Sequence, residues 1–307
     1  MALVKQEHFG IARKIVANMT LESWTDIPHF SLVHELDATD FLEELKKLNE
    51  GVTDKTKRIT LNTAMLKVIC EGIKVCPAIN THLEFDRKLV RGTLKHFDNI
   101  DISMPMMFPN GEMMTVNMHD MGNKTLSEMT AAIQDTVRRA ANTDMNEVMF
   151  EVSMDNTLKG LKKGKLLQAI RRLFGSKMPG KHRVKTLSGK AKKDYYAIPE
   201  TDRLTLHDIE QGTITVSNFG SAFRDERGAC CMLEVIPTQT TVLAICAVQE
   251  KPWVVTKPDG SKSIEIRKIL PLTIAVDHKA LDLGDVVPFF NRVDEIFKDP
   301  TVIQNWK

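Results

Sequence analysis

Residues 272–284 read LTIAVDHKALDLG. Apolar side chains at Leu272, Ile274 and Val276 alternate as on a strand, which delivers Asp277 and His278 to its end, with Asp282 four residues after the histidine. Imidazole is the one side chain whose ordinary pKa, about 6.5, lets it take and return a proton near neutrality, and an adjacent carboxylate can fix its tautomer. Two roles are open to such a pair, a structural contact or acid–base chemistry, and the rest of the chain has to choose between them.

Outward from that strand, Ile11, Ile15, Val16 and Met19 have helical spacing, and Phe30, Leu32, His34 and Leu36 alternate as on a strand. Asp37, Thr39 and Asp40 offer caps for a helix with Phe41, Leu42, Leu45 and Leu48 on one face. A heavily apolar helix is expected from Thr60 to about Cys76, where Pro77 stops it. Two strands are expected around Pro109-Asn110-Gly111, and the Thr125 to Glu128 spacing predicts a capping box opening a helix that runs to about Ala141. Later come a short helix near residues 205–210, strands near 213–217, 231–236 and 241–248, a hairpin around Pro258-Asp259-Gly260, and a closing helix over 285–298.

The chain of 307 residues is 42% hydrophobic and 27% charged, the composition of an ordinary globular protein. It has no long apolar run and its first residues lack a signal peptide's hydrophobic region, so a cytoplasmic location is the expectation. Cys70, Cys76, Cys230, Cys231 and Cys246 are odd in number and form no CxxC pair, so buried reduced thiols in helix or strand are expected. The histidines have no metal-ligand spacing, and His29 and His34 point to opposite faces of their strand; no metal is expected. The Met residues, including Met104, Met106, Met107, Met113, Met114 and Met118, suit core or channel wall.

Four ordered blocks carry a resemblance. His278-Lys279-Ala280-Leu281-Asp282 resembles the His-x-x-x-Asp-Gly motif of the dihydrolipoamide acyltransferase catalytic cores of 2-oxoacid dehydrogenase complexes, and more distantly of chloramphenicol acetyltransferase. Residues 13–19 (RKIVANM) with 27–30 (IPHF) resemble that core's opening helix and first strand, residues 104–118 its central hairpin, and residues 212–220 (GTITVSNFG) the strand with its oxyanion-stabilising hydroxyl. Lys279 and Leu283 stand where the family has Arg and Gly, and Leu283 falls where a tight turn is needed, with Gly284 as a shifted substitute.

The resemblance implies one acyltransferase domain over residues 1–307. Its fold would be a two-layer α/β sandwich with a mixed, mostly antiparallel sheet of the chloramphenicol acetyltransferase kind. It also implies His278 as general base, Ser217 as oxyanion donor, Asp282 as holder of the histidine loop, and Arg13 near the coenzyme A end. Acyl transfer between thiols needs a base because a thiol of pKa about 8.5 is mostly protonated at pH 7, and it needs a donor for the tetrahedral oxyanion. Coenzyme A or acyl-coenzyme A is then the substrate and no lipoyl group sits on this chain. Family trimers place histidine and serine on neighbouring protomers, so a homotrimer is implied, a bare one being favoured over a cage because the ending PTVIQNWK lacks an apolar tail. The chain begins almost at the core, so a lipoylated carrier would be a separate protein. A stand-alone acetyltransferase for a small alcohol or amine, and an inactive scaffold, remain as alternatives.

Residues 158–193 hold 13 of the 42 Lys and Arg residues and no Asp or Glu, so the rest of the chain carries 29 basic against 40 acidic residues. Leu161, Leu166, Leu167, Ile170, Leu173 and Phe174 among these cations read as a basic amphipathic helix inserted into the core. Contact with anionic membrane lipid, binding of an acidic carrier or of coenzyme A phosphates, and solvated decoration are open to it; no nucleic acid is expected.

Overall fold

The computed structural model describes residues 2–108, 113–162 and 186–307, with the side chains of residues 156 and 159–162 also outside the description. The Pro109-Asn110-Gly111 turn and most of the basic segment therefore lie outside the described residues.

The elements follow the chain as α1 (Ile11–Asp26), β1 (His29–Asp37), α2 (Thr39–Leu48), α3 (Leu61–Val75), β2 (Thr81–Asp86), β3 (Arg91–His96), β4 (Ile102–Met107), β5 (Met113–Met118), α4 (Leu126–Ala141) and α5 (Met145–Lys162). After the undescribed stretch come α6 (Gly189–Tyr196), α7 (Leu206–Ile209), β6 (Ile214–Asn218), α8 (Phe219–Ala222), β7 (Thr241–Ile245), β8 (Gln249–Thr256), β9 (Lys262–Asp277) and α9 (Leu283–Lys298). The chain forms two compact units, one of residues 1–21, 106–116 and 135–210, the other of residues 22–105, 117–134 and 211–307.

The second unit is built on a sheet in which the strands follow the order β1-β9-β7-β6-β4, with β8 paired to the first half of β9. β9 runs antiparallel to β1, β7 and β8, whereas β6 is parallel to both β4 and β7. The sheet is thus mixed and mostly antiparallel, the expected fold class. From Ile269 to Asp277 every β9 residue is buried, because β1 and β7 pair on either side and both faces are covered.

One face of this sheet carries Leu32, His34, Ile245, Leu272 and Ile274, and α3 and α9 provide the adjoining apolar core. Gly72 is what lets α3 and α9 approach, since a Cβ there would sit 2.5 Å from a Phe289 ring carbon. Phe297 stacks on Phe41 at 4.6 Å, and His34 meets Phe290 at 4.8 Å while pairing with Asp294 at 2.7 Å. The opposite face mixes polar and apolar residues, with Ser31, Thr215, Ser217 and Thr273 beside Val33, Val242, Ala244 and Ala275, and Val242 and Ala275 pack with Ile27 and Val235.

In the first unit, Ile11, Phe108, Met114, Val116, Val148, Met149 and Leu204 form the core. Arg139 grips Asp208 with two nitrogens at 2.7 and 2.6 Å. Burial pushes the Asp208 carboxyl upward, but these donors and Thr205 outweigh it and hold the group below its ordinary value.

Several expectations need correction. Residues 231–236 form no strand: Ser31 and Thr273 hydroxyls donate to the Cys231 and Cys230 carbonyls and His29 accepts from the Val235 amide, so side chains satisfy this backbone in place of a ladder. Cys70, Cys76 and Cys246 are buried, but Cys230 and Cys231 lie in that irregular stretch and Cys231 is exposed. Met107 and Met113 are exposed too, so only part of the methionine set fills core. Leu158 to Lys162 belong to α5, which begins at Met145, and do not start a helix of their own. No punctuation in the sequence announces the β2–β3 hairpin, because its turn, DRKLV, contains no Gly, Pro or Asn. Among the described residues no helix is long and apolar enough to cross a membrane.

Candidate active site

β9 positions the histidine as expected. Asp277 closes the strand; its amide donates to Thr240 O, and its own carbonyl accepts from the amides of Ala280 and Leu281, making a tight turn over residues 277–281. The His278 amide donates to Pro28 O, which fixes that turn against the start of β1. Phe30 lies beside the imidazole, 5.5 Å between ring centres.

The imidazole is oriented by two acceptors. Nδ1 stands 3.1 Å from Leu281 O and 3.2 Å from Asp282 Oδ1. Neither a carbonyl nor a carboxylate can donate, so the neutral ring carries its proton on Nδ1 and leaves the lone pair on Nε2. Asp282 is where the motif predicts a holding residue. Asp277 does not hold the ring, because its buried carboxylate accepts the Lys279 amide at 3.0 Å and meets Lys279 Nζ at 3.4 Å. Lys279 Nζ also donates to Asp26 O at 2.6 Å, a cation on the last turn of α1. No sequence signal marks Leu281, because its contribution is a backbone carbonyl.

Leu283 does not occupy the turn. It is the first residue of α9, with Asp282 as N-cap and the Asp285 carboxylate accepting the Asp282 amide at 2.7 Å. Its side chain is 49% exposed, and a Cβ on Gly284 would meet nothing within 4 Å. The reversal is completed by residues 278–281, so glycine is required at neither position.

Ser217 lies on β6, paired with Ala244. The next residue, Asn218, donates from Nδ2 to Asn62 Oδ1 at 2.6 Å and accepts the Ser221 amide at 2.9 Å, tying the strand end to α3 and opening α8. Gly220 is there for close approach: a Cβ would fall 2.6 Å from Cys246 O and 2.9 Å from the Ala247 backbone.

The structure does not bring His278 and Ser217 together. Ser217 pairs with Ala244, Ala244 with Thr273, and five more residues lead to His278. Two strand spacings and five residues of rise put the two Cα atoms roughly 19 Å apart. The His278 side chain is 49% and that of Asp282 79% exposed. Arg13 is on the exposed face of α1, within the first unit. A surface hollow of about 500 Å³ in that unit, lined by Glu151, Tyr196, Arg203 and Glu210 among others, contains none of the four candidates.

The family model for the 2-oxoacid dehydrogenases acyltransferase (catalytic domain) matches residues 4–153 and 183–304. The dihydrolipoyllysine-residue acetyltransferase component of the pyruvate dehydrogenase complex of Zymomonas mobilis is 20% identical over 288 residues, 94% of this chain and 48% of that protein. Its counterpart in Mycobacterium tuberculosis is 21% identical over 283 residues, 92% of this chain and 39% of that protein. The chain spans about half or less of the length of these curated relatives. Among solved structures, the dihydrolipoamide acetyltransferase of Azotobacter vinelandii, studied for the role of a serine, a histidine and an asparagine in its catalytic mechanism, aligns with a TM-score of 0.67 at 14% identity, over 99% of this chain and 95% of that one. The cubic core of the pyruvate dehydrogenase multienzyme complex aligns with a TM-score of 0.65 at 15% identity over the same shares. Identities this low establish the fold alone.

Proposed function

The chain belongs to the 2-oxoacid dehydrogenase acyltransferase family through its catalytic domain, and we propose that it moves acyl groups between coenzyme A and a dihydrolipoyl thiol. The observation that carries this reading is the tautomer of His278, whose Nδ1 faces only acceptors and whose Nε2 is the basic nitrogen. Nε2 takes the proton of the attacking thiol, the thiolate adds to the thioester carbonyl, and the oxyanion receives a hydrogen bond from the Ser217 hydroxyl. Collapse expels the second thiolate, which takes the proton back from His278. No covalent enzyme intermediate is needed.

The residues work in a homotrimer, with His278 of one protomer facing Ser217 of the next. A separation of roughly 19 Å within one chain supports this, as does the half-exposed imidazole, since electrostatic catalysis strengthens when water is excluded. Asp282 supports the base through Nδ1, at the spacing at which the Azotobacter enzyme has its asparagine after the histidine. The dihydrolipoyl group is carried on a lipoylated protein domain. Arg13, exposed on the first turn of α1, is suited to the phosphates of coenzyme A.

The test is complementation. His278→Ala and Ser217→Ala proteins are each assayed with acetyl-coenzyme A and dihydrolipoamide, then mixed under conditions of verified subunit exchange. Each alone is expected to be inactive or nearly so, and mixed trimers to regain activity because one interface keeps both residues. No recovery after exchange would place the site within one chain. Wild-type turnover by His278→Ala would remove the base.

A further inference from the structure

The β2–β3 hairpin is a paired element whose sequence and exposure the fold leaves unexplained. Every residue from 84 to 96 is exposed. The register Leu83↔Leu94, Phe85↔Gly92 and Asp86↔Arg91 gives the ribbon two faces, one with Leu83, Phe85 and Leu94, the other with Glu84, Asp86, Arg91, Thr93 and Lys95.

Its root adjoins the candidate site. The Phe85 ring lies under Lys279, with Nζ 5.4 Å from the ring centre, and Lys279 follows His278 directly. Gly92 makes room for that ring, since a Cβ there would come within 3.3 Å of both Phe85 and Leu83 side chains.

Its tip has no internal purpose. The turn is held by the Asp86 carboxylate, which accepts the amides of Lys88 and Leu89 at 2.8 and 3.1 Å. Leu89 and Val90 are nevertheless apolar, 60% and 77% exposed. Val90 has φ 51°, a left-handed conformation in which a β-branched residue is rare. Nothing in the turn's own stability favours those two residues over Asn and Gly. Glu84 is paired with Lys95 at 2.6 Å, and Asp86 is engaged by the turn. Among the described residues, Arg87, Lys88 and Arg91 have no ion-pair partner, so three cations ring two apolar side chains.

We propose that this hairpin is the docking arm for the carrier, an acidic protein domain that presents its thiol on a long side arm. The inference rests on the acyltransferase reading above. The cations steer the acidic domain, Leu89 and Val90 give it an apolar seat, and the arm runs along Phe85 past Lys279 to His278, with the tip roughly 10 to 15 Å beyond Phe85. Charge complementarity and position select this occupant: three cations around two exposed apolar side chains suit an acidic surface, and the hairpin root at Phe85 and Lys279 puts that surface within reach of His278.

The experiment compares two acceptors on the full chain, free dihydrolipoamide and a purified dihydrolipoylated domain of net negative charge. The variants are the charge reversal Arg87→Glu/Lys88→Glu/Arg91→Glu and the apolar deletion Leu89→Ser/Val90→Ser, neither touching the catalytic residues. Each is expected to raise KM for the domain by about tenfold or more, leave kcat unchanged, and leave both constants for free dihydrolipoamide within about twofold. In the wild type KM for the domain rises with salt, and the charge reversal flattens that dependence. Calorimetric titration with the domain, without acyl donor, gives the same contrast in affinity. If the wild type turns over neither acceptor the acyltransferase reading fails, while the titration still decides the docking arm. Equal affinities of wild type and both variants overturn the arm. So does loss of the trimer on charge reversal, which would make the hairpin a subunit contact, or loss of binding to vesicles of anionic lipid with domain affinity unchanged, which would make it a membrane contact.

Discussion

Ser217 is on a strand two away from β9, and His278 follows β9 five positions beyond Thr273, the level to which Ser217 aligns through Ala244. Side chains cannot close a gap of roughly 19 Å, so any chemistry using both needs a second chain. The Ser217 hydroxyl has no hydrogen-bond partner among the described residues, so its removal should leave the fold undisturbed. Ser217→Ala is expected to lower kcat by roughly 10² to 10³ with KM for acetyl-coenzyme A and the melting temperature unchanged, as for a donor acting in the transition state. An unaltered kcat would remove the serine from the mechanism.

Asp282 should matter less than its place in the motif suggests. Leu281 O still holds Nδ1 if the carboxylate is lost, and Asp282 is 79% exposed, where an ionic contact is weak. Asp282→Ala is therefore expected to reduce kcat by less than about tenfold. A loss comparable with that of His278→Ala would mean that the carboxylate, not the carbonyl, sets the tautomer.

Gly220→Ala is expected to be harmful although Gly220 is no catalytic group. The added methyl would press on Cys246 O and the Ala247 backbone, which cannot swing aside as a side chain can. Such overpacking costs about 1 to 3 kcal/mol and should shift α8, which begins two residues beyond Ser217, so that melting temperature and kcat fall together. Wild-type values of both would contradict the close approach.

Leu283→Gly, which restores the family's residue, should gain nothing. Leu283 begins α9 with an exposed side chain, so glycine removes helix propensity and no clash, a cost of at most about 1 kcal/mol. Steady-state constants should match the wild type. A large gain in kcat would show that the leucine restrains the histidine turn.

His29 links pH to the loop that carries Val235. Burial lowers its pKa below the ordinary 6.5, only partly offset by Ile27 and Asp277, and its Nε2 accepts the Val235 amide at 3.0 Å. With the native pKa depressed, the unfolded chain binds the proton first as pH falls. The stability is fully present above 6.5 and is lost as pH drops from there toward the native pKa. Melting temperatures should fall between about pH 7.5 and 5.5, and His29→Gln should lose part of that slope, His82 supplying another part because burial lowers its pKa too. An unchanged slope in the variant would exclude His29.

Periodicity and punctuation in the sequence determined most of the local structure: the strand ending at Asp277, the helix opening at the Thr125–Glu128 box, the hairpin at Gly260, and the Asp-His-x-x-x-Asp arrangement with Ser217 on its own strand. Those signals are carried by residues a few positions apart, where backbone preference and amphipathic period act directly. The tertiary structure alone decided what depends on distant pairing. It gave the tautomer-fixing role to the Leu281 carbonyl, engaged Asp277 with Lys279 and not the imidazole, and hung residues 230–235 on side-chain hydrogen bonds where a strand was expected. It also set Ser217 and His278 too far apart to meet. Strand order and register are fixed by which apolar faces are buried across the whole sheet, and no local window of sequence contains that information.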